Sequence, residues 1–101
     1  FQGYGYTDDE TRQAISQVFH DTGYVLDPHG AIGYLACHDY LTSHPLSSCI
    51  FLETAHPAKF KETVEREVGG VKVPERLQKL LSATKQSIKI PATYEALRAR
   101  L

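Results

Sequence analysis

One hydroxyl sits where ligand-binding groups are often found. The apolar run Cys49-Ile50-Phe51-Leu52 ends in Glu53-Thr54, and Pro57 follows at a helix's first position. A strand that turns directly into a helix presents its turn side chains at the strand's carboxyl end, a common ligand site. Thr54 offers one donor and two acceptor lone pairs there. The same hydroxyl could instead cap the helix near His56-Pro57. The residues alone leave both readings open.

The other reactive side chains point less clearly. Five histidines invite a metal reading, but no Cys-x-x-Cys or His-Glu-x-x-His spacing occurs, and a turn-rich stretch separates His38 from His44. We therefore expect no metal site. Cys37 lies in a helix pattern and Cys49 at a strand start, and both read as small buried hydrophobes rather than nucleophiles. There is no Gly-x-Ser-x-Gly elbow and no Gly-x-x-x-x-Gly-Lys phosphate loop. Asp27 reads as a helix cap, and His29 in the first turn reads as a local partner. Lys79, Lys85, Arg98 and Arg100 read as a solvated face. No catalytic residue is assigned.

With 101 residues the chain is one domain at most. A hydrophobic share of 42% suits a folded core. Eleven basic and 12 acidic residues leave a net charge of -1, which gives no footprint for nucleic acid or an anionic membrane. No apolar run approaches the roughly 20 residues that span a bilayer. The first residue is Phe, which suggests a cut or truncated product. Two cysteines are too few for a disulfide framework, so a reduced, cytoplasmic setting is expected.

The elements follow from start and stop signals. Thr7-Asp8-Asp9-Glu10 fits a capping box, Ala14, Ile15, Val18 and Phe19 give one stripe, and Gly23 ends a helix over about 8–22. Asp27-Pro28 opens a second, whose Gly30 and Gly33 suggest that another element or a ligand comes close. Residues 43–48 read as a loop and 49–53 as a strand buried on both faces. A third helix is expected over about 57–68, ended by Gly69-Gly70. A fourth starts at Pro74 with Leu77, Leu80 and Leu81, and a last at Pro91 with Tyr94, Leu97 and Leu101. The expected class is α/β: about five helices around one or two short buried strands. A central strand needs neighbours on both edges, and Tyr24-Val25-Leu26 and Ile88-Lys89-Ile90 are weak candidates. Its partners are expected in a part of the protein outside these 101 residues. The unpartnered apolar faces form a candidate self-association surface.

Three stretches in series carry a resemblance: Asp9-Glu10-Thr11, then Gly23-Tyr24-Val25-Leu26-Asp27-Pro28-His29-Gly30-Ala31-Ile32-Gly33, then Thr54-Ala55-His56-Pro57-Ala58-Lys59-Phe60. In order and interval they resemble the C-terminal portion of threonine synthase. Pro74-Glu75-Arg76-Leu77-Gln78-Lys79-Leu80 fits that family's tail. The resemblance covers nearly the whole chain, with one departure: the family usually has Thr where Gly30 stands.

The resemblance implies that residues 1–101 are the C-terminal segment of a pyridoxal-phosphate enzyme, within the larger domain of a tryptophan-synthase-like fold. Such an enzyme converts O-phosphohomoserine and water to threonine and phosphate. It implies that Thr54 is the cofactor-binding residue, its hydroxyl meeting the pyridine nitrogen. A neutral hydroxyl there tempers the electron sink that a carboxylate would strengthen. The family's Schiff-base lysine lies upstream in a motif these residues do not contain. Lys59 is not that lysine and reads as solvent-facing. The 101 residues are thus expected to be inactive alone. Two alternatives stay open: a related phospholyase acting on another phosphorylated amine, and a non-catalytic interaction module.

Overall fold

A computed structural model describes residues 2–101. α1 spans Asp8–Thr22, α2 Pro28–Ser43, α3 Lys61–Val68, α4 Glu75–Leu81 and α5 Tyr94–Arg98, and a 3₁₀ turn, Pro57–Phe60, leads into α3. The start signals act as expected. Thr7 Oγ1 accepts the Glu10 N–H at 3.3 Å, and Glu10 Oε2 accepts the Thr7 N–H at 2.7 Å, closing the capping box. The Thr7 N–H and hydroxyl, both donating to Glu10 Oε2 at 2.7 Å, hold the Glu10 carboxyl below its ordinary range. Gly23 and Gly69 close α1 and α3 at φ 74° and 78°, in the left-handed region where a Cβ is strained.

The core is built by the first three helices. Ile15 and Val64 are fully buried, and Ala14, Val18, Leu26 and Ala31 join them. Val25, Tyr34, Leu35, Phe51, Phe60, Val68 and Val71 close its edge. α1 packs against both α2 and α3. The N-terminal segment is tied down by Tyr6, whose hydroxyl donates to Asp39 Oδ2 at 2.7 Å. Burial, then that carboxylate, pushes the Tyr6 phenol up to about 12.

The five expected helices are present among the described residues, but the strands of the α/β expectation are not. Among the described residues there is no β-strand, and 24–26, 49–53 and 88–90 all lack ladder partners. Nor is 49–53 buried on both faces: Ile50 is 92% and Leu52 78% exposed, while Phe51 packs into the core edge. Burial alternates residue by residue from Cys49 to Pro57. That is the period of an extended segment with one face covered. A ladder requires a second segment alongside to take up its N–H and C=O groups, and no described residues supply one.

The C-terminal third also departs from expectation. The last helix begins at Tyr94 and not at Pro91, because Thr93 provides the cap, its hydroxyl accepting the Ala96 N–H at 3.2 Å. Neither α4 nor α5 buries a residue, and Leu80, Leu81, Ile88, Tyr94, Leu97 and Leu101 stand exposed. Lys59, Lys79, Lys85, Arg98 and Arg100 are all exposed. Among the described residues no helix is long and apolar enough to cross a membrane.

Candidate functional site

The segment before the 3₁₀ turn meets the start of α2, and that junction gathers the polar side chains. Asp27 caps α2: its Oδ1 accepts the His29 N–H at 2.6 Å and the Gly30 N–H at 3.3 Å. His29 Nδ1 lies 3.1 Å from the same oxygen, and its ring sets an edge against Phe60 at 5.1 Å. His29 is thus a local partner, as expected. Asp27 is fully buried, and its Oδ2 has no hydrogen-bond partner among the described residues.

Across from it stands Glu53. Its Oε1 accepts the Asp27 N–H at 2.9 Å, while its Oε2 is buried and unpartnered. Burial pushes the Glu53 carboxyl above its ordinary range, and the neighbouring Asp27 charge adds to this. The Asp27 N–H and the His29 ring pull in the opposite direction. Gly30 makes the arrangement fit: a Cβ there would lie 1.8 Å from Glu53 Oε2. Gly33 serves Phe51 in the same way, with a Cβ position 3.1 Å from the Phe51 Cβ. The two glycines of α2 are therefore the marks of close neighbours.

Thr54 is exposed, on the open face of this segment with Ile50 and Leu52. The capping role that its hydroxyl could have taken belongs to His56, whose Nδ1 accepts the Ala58 N–H at 3.1 Å. Among the described residues the Thr54 hydroxyl makes no hydrogen bond. Glu53 and Ala55, from the covered side of the same segment, line a cleft of about 350 Å³ with His56, Tyr24, Val25 and Lys72.

The sequence reading missed two residues of this site. Glu53 reads there only as the polar end of an apolar run. The signal that could have found it is Gly30, a glycine in a helix's first turn with no capping duty. His56 reads as part of a motif without a role, although its position one before Pro57 is that of an N-cap. The cysteines are half-buried and not fully so. The Cys49 thiol donates weakly to the Cys37 carbonyl at 3.9 Å, and burial, then Cys49 beside it, raises the Cys37 thiol. That is the wrong direction for a nucleophile. Among the described residues no three His, Cys, Asp or Glu side chains gather as a metal site would need.

Comparison with known proteins bears on residues 30–100, which match the family model described as "Threonine synthase, C-terminal". The chain is 40% identical to threonine synthase of Escherichia coli K12 over 97 residues, covering 95% of this chain and 22% of that protein. It is 45% identical to threonine synthase of Haemophilus influenzae over 74 residues, covering 72% of this chain and 17% of the relative. Against threonine synthase of Saccharomyces cerevisiae the figures are 32% over 94 residues, 79% and 18%. The chain thus spans about a fifth of the length of these curated relatives. No solved structure matches it.

Proposed function

The chain belongs to the threonine synthase family, as its C-terminal portion, and on that premise we propose that it forms one wall of a pyridoxal-phosphate site. The whole protein would convert O-phosphohomoserine and water to threonine and phosphate. The observation that carries the reading is the open face of 50–54. Ile50 and Leu52 stand exposed on an extended segment without ladder partners, and the unspent Thr54 hydroxyl ends the row. This is what the carboxyl end of a sheet strand would offer, its neighbours coming from the rest of a tryptophan-synthase-like fold.

Within such a site each residue of this chain has a limited task. The cofactor, when bound, supplies the electron sink for moving protons among the substrate's α, β and γ carbons. Thr54 Oγ1 would donate a hydrogen bond to the pyridine nitrogen and leave it unprotonated. His56 keeps that hydroxyl free by taking the cap of the 3₁₀ turn. Lys59 is exposed and points to no role as the Schiff-base lysine. The half-buried thiols of Cys37 and Cys49 suit a reducing, cytoplasmic setting.

The test is Thr54→Ala in the full-length protein. We expect a folded variant with a changed absorbance of bound pyridoxal phosphate and slower phosphate release from O-phosphohomoserine, with Thr54→Ser restoring both. An unchanged spectrum and rate would remove Thr54 from the site. The residues Gly30 and Glu53 favour a second reading, a phospholyase on another phosphorylated amine, because Glu53 fills space at the position where the family usually has Thr. Product analysis with O-phosphohomoserine separates the two.

A further inference from the structure

Two carboxyl oxygens, Asp27 Oδ2 and Glu53 Oε2, are buried without partners at one junction. An ionised pair so placed would combine desolvation with repulsion, each costly. The two side chains meet at this junction, where Glu53 Oε1 accepts the Asp27 N–H at 2.9 Å. We propose that Asp27 and Glu53 share one proton, carried on Glu53 Oε2 and donated to Asp27 Oδ2, and that this bond latches the 49–56 segment to the start of α2, making Glu53 a positioning residue for Thr54.

The placement of the proton follows from the other contacts. Asp27 Oδ1 already accepts two backbone N–H groups and lies 3.1 Å from His29 Nδ1. Glu53 receives one N–H, through Oε1. One proton between the two satisfies both orphaned oxygens at once. The missing Cβ of Gly30 leaves room for the acid. The titratable and charged groups about the pair are His29 on α2, and His56 and Lys72 around the cleft that Glu53 lines. Asp8 and Arg12 of α1 border Pro28 on the other side of the cap.

The sign of the pH dependence is fixed. Glu53 holds its proton more tightly folded than unfolded, so its contribution is full below the ordinary value of 4.5 and is lost as pH rises through the elevated pKa. The proton sharing stands without any cofactor, whereas the positioning of Thr54 rests on the proposed cofactor contact.

Both parts can be read in the full-length protein. Against Glu53→Gln, whose amide donates without titrating, we expect the unsubstituted protein's Tm to shift down by about 2–4 °C between about pH 5 and about pH 8. Parallel curves would overturn the shared proton. So would the absence, in the unsubstituted protein, of a protonated-carboxyl infrared band that disappears with the midpoint of the Tm shift, a measurement that needs no variant. For the positioning role, the absorbance of bound pyridoxal phosphate should shift with the same midpoint, and Glu53→Gln should abolish that shift. Diverging Tm curves with a pH-invariant spectrum would overturn the positioning role alone. The Thr54→Ala spectrum reports separately on the cofactor contact.

Discussion

Substituting Gly30 by Ala tests the junction most directly, because two opposing effects are separable there. A methyl group at Gly30 meets Glu53 Oε2 at 1.8 Å, and the next two atoms of that carboxyl at 2.6 and 2.8 Å. The obstacle is the far end of a flexible side chain, so the backbone need not move. Glu53 swings away, and the Asp27 N–H loses its acceptor in a buried place. An unsatisfied buried donor costs about 1–3 kcal/mol. Replacing Gly by Ala in a helix returns up to about 1 kcal/mol, less in a first turn. Alone, Gly30→Ala should therefore be neutral to destabilising by about 3 kcal/mol. With Glu53→Ala already present the obstacle is gone, and the same substitution should stabilise. Urea unfolding of the wild type, both single variants and the double variant gives the coupling energy, expected at about 1–3 kcal/mol with an unchanged slope in denaturant. Additive effects, within a few tenths of a kcal/mol, would refute the account of why residue 30 is glycine.

Two further outcomes follow from the core and from the N-terminal tether. Ile15→Ala, at a fully buried position on α1, which packs against α2 and α3, should cost about 2–5 kcal/mol in urea unfolding, since the packed helices cannot collapse into the space. In an alkaline absorbance titration, one tyrosine should ionise near 12, and Tyr6→Phe should remove it. The stability that Tyr6 contributes is full below its ordinary value of 10.0 and is lost as pH rises through about 12.

The helices are legible in the sequence where a local signal sets them. Thr7 with Glu10, Asp27 with Pro28, and Gly23 and Gly69 mark ends by chemistry confined to one turn, and each boundary falls where that chemistry places it. The last helix starts at Tyr94 rather than Pro91 because, although Pro91 is an equally good helix starter, the Thr93 hydroxyl supplies the cap. The 49–53 segment departs from the strand expectation for a different reason. Composition reports how apolar a run is but not whether a neighbour lies alongside, and ladder formation depends on that neighbour. At the site, Asp27 and His29 were legible because they act on their own helix. Glu53 was not, because its partner is 26 residues away and only the unexplained Gly30 hinted at it.

The absence of buried residues in α4 and α5 divides the chain into two energetic regimes. Helices of seven and five residues are far below the length at which an isolated helix persists in water. α1, α2 and α3 share one core and gain or lose it together. Beyond Val73 no such shared term exists within these residues, so the final turns stand or fall by caps such as Thr93 and by whatever surface the exposed leucines meet. A substitution at Leu97 would leave the melting of the first 70 or so residues untouched, whereas one at Val64 would act on all of them.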